Sequence, residues 1–202
     1  MSTENPTTTT THHYGNGSKM YEGQVQNGQW NGTGDYFRDD GTLAYRGGFK
    51  DSQWHGAGVM YGPDGQISYQ GEFDMGQWHG KGAKFYGHGW KFYSGMFKNG
   101  QTHGKGICWH ENPANLIRYD GDFFEDMWNG SGKYFRDSDG SVMYEGDFKN
   151  GQFHGHGRMY KENAELDYEG EFCIGQWHGQ GKRYHNGEVS YSGEFNNGSQ
   201  VD

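Results

Sequence analysis

The chain has 202 residues, a formal net charge of −9, 38 glycines and 35 aromatic residues. Only 12 residues are Ile, Leu or Val. Globular cores are built mainly from these three types, and disordered chains are poor in aromatics. The composition therefore favours a thin structure in which large rings lie across glycine backbone.

The N-terminal segment is polar and threonine-rich, and it carries no apolar stretch of the kind that signal peptides contain. We predict a disordered tail over residues 1–18 and a repeat domain over residues 19–202. Cys108 and Cys173 are too few for a disulfide framework, and no stretch approaches the roughly 20 apolar residues that cross a bilayer. We expect a cytoplasmic protein.

From residue 21 onward the chain is periodic. The triplet Tyr-x-Gly recurs at intervals of 23 to 26 residues. In each full copy it is followed by an aromatic residue (Thr102 in the fourth), His or Asn, Gly, any residue and Gly. The copies begin at Tyr21, Tyr45, Tyr69, Tyr93, Tyr119, Tyr144 and Tyr168, with a partial eighth from Tyr191. A fixed period of this length indicates a linear repeat architecture.

Each copy is predicted to form a β-hairpin. In the third copy, Tyr69, Gly71 and Phe73 alternate at period two, which is typical of a strand with one packed face. A turn follows, and Trp78, Gly80 and Gly82 belong to the second strand. The predicted fold is all-β, an elongated single-layer antiparallel sheet of stacked hairpins with little or no helix. Rings that lie over glycines would replace a core.

The segment from Tyr144 to Gly157 resembles the MORN repeat, the membrane occupation and recognition nexus motif. Departures are mild: Ser52 and Asp126 replace the turn glycine, and Thr102 stands where Trp or Phe is usual. The resemblance implies a twisted hairpin sheet. It also implies roles in organising cytoskeletal, ciliary or membrane-adjacent structures, and in some members contact with acidic phospholipids.

One stretch of the chain is basic. Residues 75–110 contain five lysines and no acidic residue, whereas residues 119–202 carry the whole net charge of −9. The lysines are ordinary solvated residues, or they form a contact surface for acidic lipid or an acidic partner in repeats three and four. The candidate contact residues are Lys81, Lys84, Lys91, Lys98, Lys105, Trp90 and Trp109.

The longest repeat interval contains Pro113, Leu116 and Ile117, which break the pattern. This loop is either a tolerated insertion or, if Leu116 and Ile117 are exposed, a docking knob for a partner.

Catalysis and metal binding are not expected. Five histidines share one repeat slot that also accepts Asn, at His55, His79, His103, His154 and His178, which indicates a structural polar residue near a turn. Successive hairpins lie about 9–10 Å apart, too far for shared ligation by bonds of about 2.0–2.1 Å. We therefore expect no metal, no cofactor and no nucleic-acid ligand.

Three functions remain at this point. The first is a protein–protein scaffold in a cytoskeletal or ciliary assembly, with possible self-association through the C-terminal edge strand near Tyr191. The second is a peripheral membrane tether that binds acidic phospholipids. The third is a carbohydrate-binding repeat protein.

Overall fold

The computed structural model describes residues 7–111 and 114–201. The chain divides into two compact units, residues 1–101 and 102–202. Within the described residues, every regular element is a β-strand and every pairing is antiparallel. The predicted all-β fold of stacked antiparallel hairpins is confirmed.

The first unit contains eight strands that pair in chain order. Their bounds are β1 Thr8–His13, β2 Lys19–Gln26, β3 Gln29–Phe37, β4 Leu43–Lys50, β5 Gln53–Tyr61, β6 Ile67–Asp74, β7 Gln77–Phe85 and β8 Lys91–Lys98.

The second unit contains nine strands that also pair in chain order. Their bounds are β9 Gln101–Trp109, of which all but the first residue lies in this unit, β10 Ile117–Phe124, β11 Met127–Phe135, β12 Val142–Lys149, β13 Gln152–Tyr160, β14 Leu166–Cys173, β15 Gln176–His185, β16 Glu188–Asn196 and β17 Ser199–Gln200.

The first tyrosine packs on glycine in repeats one to three and five to eight. In the third repeat, Gly71 on β6 lies opposite Gly82 on β7, and a Cβ on either residue would lie within 2.6 Å of the Tyr69 side chain. The Tyr69 ring therefore covers bare backbone of two strands. Its hydroxyl donates to the carbonyl of Glu72 at 3.0 Å, and the side chain is 0% exposed. In all eight copies the tyrosine hydroxyl donates to the backbone carbonyl three residues later in the chain, at 2.8–3.2 Å.

In six repeats a second ring stacks on the tyrosine, and a third meets it edge-on. Trp78 is parallel to Tyr69 at 5.1 Å, and in six repeats such stacked pairs have centroids 4.0–5.1 Å apart. Phe73 meets both Tyr69 and Tyr45 edge-on at 5.1 Å. Phenylalanines at this position contact the tyrosines of two successive repeats within each unit, at Phe49, Phe73 and Phe97 in the first and at Phe148, Phe172 and Phe195 in the second. The rings therefore bind neighbouring hairpins together.

Gly80 has a different role from Gly71 and Gly82. It adopts φ +56°, and the register shifts beside it, so the second strand bulges at this glycine. The Glu72 carboxylate caps the bulge by accepting the backbone N–H of Lys81 at 3.1 Å. An acidic or amide side chain nine residues earlier does the same in four other repeats, with Gln24, Asp122, Asp147 and Glu171 as the acceptors.

The turn departures at Ser52 and Asp126 have a structural reason. Both residues adopt positive φ, 63° and 66°, where glycine would be unstrained. Each side chain accepts a backbone N–H of the preceding repeat, Ser52 from Trp30 at 3.1 Å and Asp126 from Thr102 at 2.8 Å. Glycine cannot make this bond, so the side-chain acceptor offsets the strain.

The prediction of a disordered N-terminal tail is wrong for the part of it that is described. Thr8–His13 forms β1, which pairs with β2 in the register Thr8↔Val25 to His12↔Tyr21. Threonine is β-branched and favours extended backbone, and His12 accepts the indole N–H of Trp30 at 3.1 Å. Residues 1–6 of the predicted tail lie outside the described residues.

Candidate recognition surface

Each unit has two unlike faces. Alternate residues of a strand point to opposite sides, so the tyrosines and the paired glycines share one side, which we call the aromatic face. The residues between them, such as Glu145 and Asp147 around Gly146, point to the other side, which we call the open face.

The aromatic face is filled by its own packing. Its tyrosines are 0–1% exposed from the first repeat to the seventh. Several tryptophans are covered in turn by a cation: Lys84 lies 4.6 Å from Trp78, Arg118 lies 5.2 Å from Trp128, and Arg183 lies 5.6 Å from Trp177. Burial raises the pKa of Tyr45 and Tyr168 to about 12, so their hydroxyls remain protonated donors at neutral pH.

On the open face, the backbone of the paired glycines lies between two rows of polar side chains. In the second unit the row of glycines runs across the strands through Gly106, Gly121, Gly132, Gly146, Gly157, Gly170, Gly181 and Gly193. This backbone forms the floor of shallow grooves.

Three of these grooves are described by the residues that line them. The β2–β4 groove, about 540 Å³, is lined by Glu22, Gln24, Asp35, Arg46 and neighbouring glycines. The β10–β12 groove, about 540 Å³, is lined by Lys105, Asp120, Ser131, Lys133, Glu145, Asp147 and three glycines. The β12–β14 groove, about 290 Å³, is lined by Glu145, His156, Arg158, Glu169 and three glycines.

An arginine belonging to the chain occupies two of these grooves. In the β2–β4 groove Arg46 binds Asp35 through two nitrogens, at 2.8 and 2.6 Å. In the β12–β14 groove Arg158 binds Glu169 at 2.8 and 2.7 Å. In the β10–β12 groove the basic side chains are lysines. Lys133 pairs with Glu145 at 3.3 Å, and Lys105 pairs with Asp122 at 2.9 Å.

The predicted basic contact residues of the first unit do not share one face. Lys81 is exposed on the open face, whereas Lys84 lies on the aromatic face above Trp78 and Phe92. Lys91 is half-buried, and Lys98 is exposed at the end of β8. In the second unit, Lys105 is ion-paired with Asp122.

The two tryptophans of the predicted contact set are half-buried. Trp90 closes the turn after β7, where its carbonyl accepts the N–H of Tyr86 at 2.8 Å and its ring meets His88 at 4.0 Å. Trp109 ends β9 and lies opposite Ile117 on β10. Both are part of the local packing.

The residues of the predicted docking knob are only partly exposed. Leu116 and Ile117 are half-buried rather than exposed. Ile117 begins β10, and Leu116 packs beside the turn at Gly140, where an added Cβ would lie 3.4 Å from its Cδ2. Pro113 of the same loop lies outside the described residues.

The repeated histidine slot contributes its backbone to the packing: the carbonyls of His154 and His178 accept hydrogen bonds from Tyr144 and Tyr168 at 3.3 Å. Across the described residues, no cluster of three or more His, Cys, Asp or Glu side chains could hold a metal ion.

Sequence reasoning missed an apolar pair on the open face. Phe124 and Met127 lie opposite each other beside the turn of the fifth repeat and are 46% and 41% exposed. The signal was present: elsewhere the first position holds Lys at Lys50, Lys98 and Lys149, and the second holds Gln in the other six full repeats.

The last hairpin is only partly formed. β16 pairs with β17 at two positions, Phe195↔Gln200 and Asn196↔Ser199. Tyr191 donates to the carbonyls of Glu194 and Val201 at 3.2 and 2.8 Å.

The MORN repeat model matches residues 21–43, 45–67, 69–86, 93–112, 119–140, 144–163 and 168–189. These matches cover most of the chain, so the protein belongs to the MORN repeat family. The seven matches begin at the seven predicted repeat starts, which confirms the predicted full repeats. No curated protein matches the chain.

A separate property concerns membranes. In the described ranges the structure contains no helix long and apolar enough to cross a bilayer.

Proposed function

We propose that this MORN repeat protein is a non-catalytic scaffold that binds protein partners through the open face of its hairpin sheets. The observation that carries the proposal is the difference between the two faces. Tyrosines, tryptophans and covering cations fill the aromatic face, whereas glycine-floored grooves with flanking charges remain accessible on the open face.

The difference between the two faces also weighs against the carbohydrate-binding and phospholipid-binding functions. A carbohydrate site needs an accessible ring face, and the tyrosines of the seven full repeats are buried. A phospholipid site needs lysines that reach one anionic surface together, and Lys81 and Lys84 point to opposite faces. A cytoskeletal or ciliary setting is proposed from the family resemblance alone.

Photo-crosslinking in cells tests the proposal. A benzoylphenylalanine residue would replace Lys81, Ser131 or Gln180 on the open face, with Asp39 and Glu162 at exposed loop tips as control positions. We expect the open-face positions to capture the same discrete protein or proteins and the loop tips to capture none of them. Equal capture from both sets, or no discrete product from the open face, would contradict the proposal.

A further inference from the structure

We infer that the open face of the second unit also binds a second copy of the chain, related to the first by a two-fold axis that runs along the strands between β12 and β13. The inference goes beyond the proposed scaffold function, because it concerns the assembly of the chain with itself. The two are tested by different experiments.

Charges alternate in sign along one row of this open face. The row crosses the strands in register from β10 to β15 and reads acid, base, acid, base, acid, base. The first strand of each hairpin carries the acid and the second strand carries the base. The members of the row are Asp120, Lys133, Glu145, Arg158, Glu169 and Lys182.

This alternation makes the face complementary to itself. The two-fold axis exchanges β12 with β13, β11 with β14 and β10 with β15, so every first strand faces a second strand of the other copy. Two sheets that pack face to face keep their strands within about 30° of each other, as this arrangement requires. The facing residues of the two copies are Asp120 and Lys182, Lys133 and Glu169, and Glu145 and Arg158.

The neighbouring row of the open face also brings no like charges together. It runs from Lys105 on β9 to Glu194 on β16, and the axis places these two ends against each other. Nearer the axis, Asp147 faces His156 of the second copy. The other acidic residues of this row face uncharged side chains, Asp122 with Gln180 and Glu171 with Ser131.

The two ends of the alternating row have no ion pair within the chain. The four inner members are ion-paired to each other, at 2.7 and 3.3 Å. Asp120 and Lys182 are exposed, and in the part of the chain that the structure describes neither forms an ion pair. On one copy they lie five strands, or about 24 Å, apart. Only a second copy can therefore bring them together.

The apolar side chains of the same unit lie at related positions. The Phe124–Met127 pair flanks the turn between β10 and β11, whereas Cys173 and Ile174 lie at the turn between β14 and β15. The axis exchanges these two turns, so Met127 faces Cys173 of the second copy. Ile174, which is 66% exposed, lies beside it. The contact would therefore cover apolar surface at both ends of the interface.

The size of the face suits a stable dimer. From β9 to β16 the strands span about 35 Å, and three rows of side chains span about 20 Å along them. Two copies would bury roughly 1,400 Å² in total, within the range of about 1,200–2,000 Å² for specific interfaces.

Sedimentation equilibrium of the full chain tests the contact. At low salt we expect the molar mass to rise with concentration towards twice 22.9 kDa. High salt should weaken the dimer, because exposed charge pairs are screened.

Charge reversal locates the contact. Asp120→Lys and Lys182→Asp each place like charges against each other twice, and each should weaken the dimer about tenfold or more. The double variant restores opposite charges only across the two-fold axis, and its affinity should return to within about threefold of the wild type. A mixture of the two single variants should form heterodimers more tightly than either variant dimerises alone.

Two further variants complete the test. Phe124→Gln with Met127→Gln gives the fifth turn the residues that the first repeat has at Gln26 and Gln29, and it should weaken the dimer about tenfold. Glu162→Lys reverses a charge at an exposed loop tip and should change the affinity less than about twofold. Urea unfolding of every variant checks that the fold is retained.

A chain that remains monomeric at its highest soluble concentration, or a double charge variant no better than the single variants, would overturn the inference. If the open face captures other proteins in cells while the chain remains monomeric, this inference fails and the scaffold function stands. If the chain dimerises with the expected charge pattern while no other protein is captured, the inference stands and the scaffold function fails.

Discussion

The glycines beneath the tyrosines should not tolerate alanine. A Cβ on Gly157 would lie 2.5 Å from both Cε2 and Cζ of Tyr144, about 1 Å inside ordinary van der Waals contact. The ring cannot retreat freely, because Phe153 stacks on its other side at 4.0 Å and its hydroxyl donates to the carbonyl of Asp147 at 2.9 Å. Gly157→Ala must therefore displace two rings or break that bond.

The expected cost follows from these contacts. Overpacking costs about 1–3 kcal/mol, and a lost hydrogen bond costs about 1 kcal/mol. Alanine regains about 0.5–1 kcal/mol of the backbone entropy that glycine loses. The net destabilisation should be about 2 kcal/mol, measured as a lower urea midpoint at unchanged slope. Gly87→Ala is the control, because an added Cβ there meets only one atom, at 4.0 Å. A Gly157→Ala protein as stable as the wild type would refute this packing.

Three further changes have defined outcomes. Asp126→Ala should lower the free energy of unfolding by about 1–2 kcal/mol, because it removes the acceptor for Thr102 N–H and keeps the strained backbone. Asp126→Gly should lower it less, because glycine relieves the strain. Equal losses in urea unfolding would contradict this. Ile174→Asn should stabilise by about 1 kcal/mol, since Ile174 adopts φ +50° and is 66% exposed; lower stability would contradict it. Stability should fall between about pH 10 and pH 12, because burial raises the pKa of Tyr45 and Tyr168 from 10.0 to about 12, so the unfolded chain releases these protons first; a constant urea midpoint across that range would contradict it.

The repeat period and the period-two pattern were sufficient to predict the hairpins, because the same residues set both register and packing in every copy. The packing of Tyr69 on glycine was predicted from the scarcity of aliphatic residues. The distinct role of Gly80 was not predicted, since a bulge glycine and a floor glycine look alike until the register is known.

The functional surface was harder to predict. The run of lysines in residues 75–110 suggested one patch, but a strand distributes alternate residues to opposite faces, and Lys84 joined the aromatic packing. β1 was missed because an edge strand of threonines lacks the repeat signature. The Phe124–Met127 pair could have been found by comparing the repeats position by position, because it replaces polar residues there.

The central claim is that tyrosine rings packed on glycine fill one face of each unit, so that the open face remains for recognition. A double-mutant cycle between Gly157 and Tyr144 tests it most directly, with Gly157→Ala made in the wild type and in Tyr144→Leu. If the Tyr144 ring lies on Gly157, alanine destabilises the wild type but costs little without that ring, and the coupling free energy exceeds about 1 kcal/mol. Additive effects of the two substitutions would contradict the claim.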